Sequence, residues 1–118
     1  MVTTAELGTH VEAALWILIA LAKGHGGYGG IYRYIERHSN RAMLSGTFQY
    51  VRTLLENLGM IRSFPDTRET WQTRYKITPA GLTFLKGELQ RIVQSGASNQ
   101  LLVTAAREVL RSRRMRSA

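Results

Sequence analysis

Residues 45–77 read SGTFQYVRTLLENLGMIRSFPDTRETWQTRYKI and divide into a helix, a stop and a hairpin. Phe48, Val51, Leu54, Leu55 and Leu58 recur at helical spacing and form one inner stripe. Ser45 stands where its hydroxyl can accept from the first free amides, so it is expected to cap a helix over 45–58. Gly59 follows the last apolar position, as a left-handed cap does. Residues 60–64 alternate as a strand, Pro65 closes it, and 66–70 make the turn. Residues 71–77 return as a second strand, with Trp71, Thr73, Tyr75 and Ile77 on one side and Arg74 and Lys76 on the other. The helix leaves Thr47, Gln49, Tyr50, Arg52, Thr53 and Asn57 largely on its outer face. That face is polar, hydrogen-bonding and free of acid.

The flanks are helical. Leu7, Val11, Ala14, Leu15, Leu18, Ile19 and Leu21 put apolar groups on most of a helix over 5–23. A helix apolar nearly all round belongs to a core or a subunit interface, and Trp16 is read there as a core aromatic. Gly24, Gly26, Gly27, Gly29 and Gly30 cluster around His25 and Tyr28, which breaks that helix and allows a tight turn. No Gly-Lys-Ser/Thr follows and no strand precedes, so the cluster is not read as a nucleotide loop. Ile31, Tyr34 and Ile35 carry a second helix to about His38, and 39–44 connect it to the third. Beyond the hairpin, Thr78-Pro79 opens a fourth helix, with Thr as cap and Pro where no needed hydrogen bond is lost. Its stripe of Leu82, Leu85, Leu89, Ile92 and Val93 runs to about Gln94. A break is expected over 95–98. A last helix over 99–114 follows, with Leu101, Leu102, Ala105, Val109 and Leu110, and ends in Arg111, Arg113, Arg114 and Arg116. Cations suit a helix C-terminus, so the plain reading of that cluster is a solvated tail.

The chain has 118 residues, which fits one domain, and a formal charge of +8. That charge favours a polyanionic partner, nucleic acid first and an anionic membrane surface second. Arg outnumbers Lys, and Arg forks match phosphates and guanine edges. There is no cysteine, which excludes disulfides, zinc-finger sites and thiol catalysis. The longest apolar run, Ala13 to Ala22, is shorter than the ~20 residues that span a bilayer. Glu6 and Glu12 precede it, where a leader would carry positive charge. A buried helix in a cytoplasmic, nucleoid-associated protein with no membrane contact is therefore expected. His10, His25 and His38 lack metal-ligand spacing, and Asp66 is the one aspartate. Nothing pairs as nucleophile and base, so neither an enzyme nor a cofactor is expected.

Three segments together resemble the PadR family of winged-helix transcriptional regulators. His25-Gly26-Gly27-Tyr28 is similar to the family's His-Gly-Tyr lead into the second helix, with an extra Gly. Ser45-Gly46-Thr47, followed by Leu55-Glu56-Asn57-Leu58-Gly59-Met60-Ile61, looks like its Ser-Gly-Thr-Leu-Tyr-Pro run and its later Leu-Glu-x-x-Gly-Leu-Ile. Tyr75-Lys76-Ile77-Thr78-Pro79-Ala80-Gly81 is similar to its Tyr-x-Ile-Thr-x-x-Gly after the wing. The match covers about residues 13–85. Gln49-Tyr50 replaces the family's Tyr-Pro, Arg52 stands at a usually apolar position, and Thr53 replaces a basic residue. A break near Gly96 replaces one long C-terminal helix.

The resemblance implies a mainly α fold with a small β-hairpin wing (α+β). Residues 1–95 would form a winged helix-turn-helix, and 96–118 a C-terminal helix with a basic tail for dimerisation or DNA contact. It also implies a dimeric, sequence-specific double-stranded DNA-binding regulator, a repressor, placing helix 45–58 in the major groove of a palindromic site. Thr47, Gln49, Tyr50 and Thr53 are the expected base-reading residues. Gln can make two hydrogen bonds with adenine, and Tyr50 is assigned to a phosphate or a thymine methyl. Ser45, Arg52, Arg33, Arg37 and Arg41 are expected on phosphates. Arg68, helped by Arg74, is the wing candidate for the minor groove, against repulsion from Asp66 and Glu69. Leu7, Val11, Leu15, Leu101, Leu102, Val109 and Leu110 are the dimerisation candidates, and packing back on their own domain is the alternative. A small-molecule effector between dimer halves, with Trp16 as a wall, follows by analogy alone. The competing function is a partition (centromere-binding) or chromatin-type protein that spreads along DNA, with a partition partner protein.

Overall fold

The computed structural model describes residues 4–65, 72–96 and 99–118. A 3-10 helix, Thr4–His10, leads into α1, Val11–Ala22. Then come α2, Tyr28–Ser39, α3, Ser45–Asn57, strands β1, Ile61–Pro65, and β2, Thr73–Ile77, and α4, Pro79–Ser95. The chain closes with α5, Gln100–Leu110, and the short α6, Arg113–Arg116. The fold is mainly α with one two-stranded antiparallel hairpin, as the sequence implied.

α1 is the central post. Its residues Ala14 to Leu21 are all buried, because α2, α3, α4, α5 and β2 pack around it. Thr4–Ala22, 19 residues with a mean hydropathy of 1.4, is long and apolar enough to cross a membrane by length and composition. Gly8, at φ 57° and ψ −128°, divides that stretch. α1 by itself spans about 18 Å against a hydrocarbon core of about 30 Å. Its apolar surface is taken up within its own chain.

α3 buries only the stripe of Phe48, Val51 and Leu55. Gly59, at φ 75°, ends the helix as expected. Ser45 does not cap it: Leu44 holds the extended N-cap position and Ser45 is already helical. A cap side chain works from an extended backbone, and Ser45 has none. The hairpin pairs Ile61 with Ile77 and Ser63 with Tyr75. Thr78 then joins three elements. Its backbone N–H donates to the Met60 carbonyl at 3.0 Å, and its hydroxyl donates to the Gly59 carbonyl at 2.7 Å. The same hydroxyl oxygen accepts from Gly81 N–H at 3.0 Å and caps α4. Gly81 has to be glycine, since a Cβ there would lie 2.2 Å from the Met60 carbonyl oxygen.

The C-terminal segment is part of the same core. α5 runs parallel to α1: Asn99 bonds Glu12 at one end, and Glu108 pairs with Lys23 at the other. Leu102, Ala105, Ala106, Val109 and Met115 join α1 in one hydrophobic cluster. The expected single helix over 99–114 is divided, because Ser112 is extended and caps α6 by accepting from Met115 N–H. Burial of Met115 anchors that last turn to the core, while the arginines beside it stay exposed.

Candidate nucleic-acid interface

The outer face of α3 is knitted into a hydrogen-bonded chain with α2. Arg52 Nη2 donates to Gln49 Oε1 at 2.8 Å, and Gln49 Nε2 donates to the Tyr28 hydroxyl at 2.9 Å. Tyr28 lies 3.1 Å from the Tyr32 hydroxyl, and both rings pack on Phe48. Arg52 also pairs with Glu56 at 2.6 Å and lies over the Tyr75 ring, 5.8 Å from its centroid. Burial, then the Tyr28 hydrogen bond, pushes the Tyr32 phenol well above its ordinary pKa. Burial raises Tyr75 as well, while Arg52 pulls it back toward ionisation. Both phenols are neutral donors and acceptors at physiological pH.

Gln49 and Thr53 are exposed on this side, and Thr53 Oγ1 donates to the Gln49 carbonyl at 2.9 Å. Tyr50 is 58% exposed and packs against the His10 ring at 4.9 Å. Thr47 is elsewhere. It is half-buried and lines a groove with Trp16, Met43, Leu44 and Leu101, because two residues of helix turn it away from Gln49. Arg52 departs from its phosphate assignment too. It is half-buried, ion-paired and stacked, so a usually apolar position is filled by a side chain whose length covers Tyr75.

Ser45, Arg33, Arg37 and Arg41 are exposed. Arg33 lies over Gly29, and Arg74 is folded over Gly26 and Gly27 instead of reaching along the wing. Arg68, Asp66, Glu69 and Trp71 lie outside the described residues. The glycine-rich segment does work that the sequence did not disclose. Tyr75 N–H donates to the Gly26 carbonyl at 2.8 Å, and Gly27 bridges Arg74, so the approach to α2 adds a third edge to the wing. A Cβ on Gly26 would sit 2.9 Å from the Tyr75 carbonyl oxygen. Gln49, Tyr28, Gly27 and Arg74 thus form one contiguous surface over α3, the N-terminus of α2 and β2. Tyr28, 38% exposed, and Gly27 are the members that sequence reasoning left out. The His-Gly-Gly-Tyr motif was the signal for them.

Most dimerisation candidates are used inside the chain. Leu7, Leu15, Leu102 and Val109 are buried by their own neighbours, which corrects that assignment. Val11 and Leu110 are half-buried, and Leu101 is 47% exposed. Leu44, 74% exposed, stands near Leu101 in the groove beside Trp16. Among the described residues, no cluster of His, Asp and Glu has the arrangement to hold a metal ion.

No protein-family profile and no curated protein matches the sequence. Solved structures do. The chain is similar to a transcriptional regulator from Clostridium thermocellum at 22% identity and a TM-score of 0.64, over 81% of this chain and 92% of that one. It is similar to a PadR-like transcription factor from Bacteroides fragilis at 22% identity and a TM-score of 0.58, over 71% of this chain and 82% of that one. The fold is a PadR-like winged helix.

Proposed function

We propose that this protein is a transcription regulator that binds specific double-stranded DNA sites with α3 in the major groove. The observation that carries the reading is the exposed polar side of α3 around Gln49, Tyr50 and Thr53, whose one acid, Glu56, is neutralised by Arg52, continuous with the wing edge and the N-terminus of α2. Free amides at a helix N-terminus favour phosphate, and a +8 chain favours the duplex as a whole. In this reading Gln49 and Thr53 face base edges, with Tyr50 on their flank. Arg33, Arg37, Arg41 and Ser45 supply backbone contacts, and Arg68 remains the wing candidate. No acid–base pair is used, and the protein acts in the cytoplasm without catalysis.

The regulator acts as a homodimer and a repressor. A second copy would cover Val11, Leu44 and Leu101, the partly exposed apolar residues near the start of α1 and α5, and Leu110 at the far end of α5. Two copies of α3 would enter successive major grooves about 34 Å apart, so the site is a rough palindrome. Sedimentation of the free protein checks the dimer.

One observation favours a second reading. Arg111, Arg113, Arg114 and Arg116 are exposed around a turn anchored by Met115, a basic surface suited to further DNA backbone. A protein that spreads along DNA in partition or chromatin organisation would use it. Purified protein mixed with fragmented DNA of its source, at physiological salt, separates the two. A few narrow palindromic peaks over promoters support the regulator. Broad coverage growing outward from one locus supports the spreading protein. No enrichment over input overturns specific DNA binding.

A further inference from the structure

We infer that Tyr28 and Arg52 are positioning residues that set the orientation of the Gln49 amide, so that three side chains act as one adenine-reading unit. The inference rests on the reading of α3 as the recognition helix.

A glutamine amide has two N–H donors and two acceptor lone pairs. Arg52 can only donate, so the Gln49 oxygen has to face it. That fixes the nitrogen toward Tyr28, whose hydroxyl oxygen accepts. The amide orientation is therefore dictated by chemistry. One donor and one acceptor remain on Gln49. These are the two groups needed to pair with N7 and the N6 amine of adenine in the major groove. Each support is itself held. Arg52 is fixed by Glu56 and the Tyr75 ring, and Tyr28 by the Tyr32 hydroxyl and the Phe48 ring. A glutamine held this way arrives at the base with its rotamer already restricted, which preserves discrimination that rotamer freedom would dilute.

The division between a base reader and a phosphate contact therefore does not hold for Gln49 and Arg52. Replacing Arg52 should relax preference at the same base pair as replacing Gln49, while leaving the salt dependence alone. A phosphate contact would weaken all sequences evenly and flatten the salt slope.

The test selects bound duplexes from a randomised pool with the full-length wild type, Gln49→Ala, Tyr28→Phe and Arg52→Lys, with thermal unfolding followed in parallel. Tyr28→Phe removes one hydroxyl and keeps the ring on Phe48, so it guards against a folding artefact. Arg52→Lys keeps the charge and loses the fork. A bidentate contact discriminates by about 5- to 150-fold. Tyr28→Phe is expected to lower the adenine preference at the Gln49 position about tenfold, with other positions and the salt slope unchanged. Arg52→Lys is expected to relax the same position. If Gln49→Ala relaxes one position while Tyr28→Phe keeps the wild-type profile, positioning is overturned and the recognition helix stands. If the wild type selects no sequence, both are overturned. A lower melting temperature with intact preference marks Tyr28 as structural only and overturns the inference.

Discussion

α1 and α3 are nearly equal in length, 12 and 13 residues, and pack on each other, yet they use their surfaces in opposite ways. α1 buries every side chain from Ala14 to Leu21. α3 buries a single stripe and leaves Gln49, Tyr50 and Thr53 in solvent. The first helix is all support, and the second is half support and half display. Substitutions in α1 should therefore change stability, and substitutions on the outer face of α3 should change recognition.

The largest effect belongs to α1. Leu18 is fully buried, and Leu18→Ala is expected to cost about 2–5 kcal/mol in chemical denaturation. A cost near zero would break the claim that α1 is the central post. Next is Gly81→Ala, which forces a methyl onto the Met60 carbonyl where α4 meets the end of α3. Overpacking of this kind costs roughly 1–3 kcal/mol, read in the same denaturation assay.

Tyr34 sharpens the contrast from α2. Its hydroxyl is buried without a hydrogen-bond partner among the described residues. Burial, with help from the Glu108 charge, pushes its pKa up to about 12. The folded chain thus holds the phenol proton more tightly than the unfolded chain does. Tyr34's contribution is present below the ordinary tyrosine pKa near 10 and is lost as pH rises from there through about 12. Tyr34→Phe should gain about 1 kcal/mol at neutral pH by removing an orphaned hydroxyl. It should also blunt the alkaline loss in a pH series of melting curves. The smallest effect is on α3: Thr53→Ala should alter folding stability by less than about 0.5 kcal/mol. A large loss there would erase the distinction between the two helices.

The same contrast explains what was legible beforehand. α3, its stripe, the Gly59 stop and the Thr78 cap follow from local rules, and the structure has them where spacing put them. Ser45 was misread because local sequence does not say which residue stays extended. α2 starts at Tyr28 and holds Gly29 and Gly30 in its first turn, since packing of Tyr28 and Tyr32 on Phe48 outweighs their poor helix propensity. Arg52 is only partly legible in one helix, where Glu56 and Gln49 stand at i+4 and i−3. Its partners come from its own turn and from β2, and Gln49 reaches α2 twenty-one residues away. Leu102 and Val109 looked free for a second copy only because nothing local shows that α5 lies along α1.

The central claim is that the outer face of α3 meets DNA. Amide NMR shifts recorded while a selected duplex is added test it most directly. The largest changes are expected over residues 46–53 and at Gly27 and Tyr28, with small changes across buried α1. Changes confined to residues 111–116, with α3 silent, would overturn DNA binding by α3 and make the basic C-terminal turn the nucleic-acid surface.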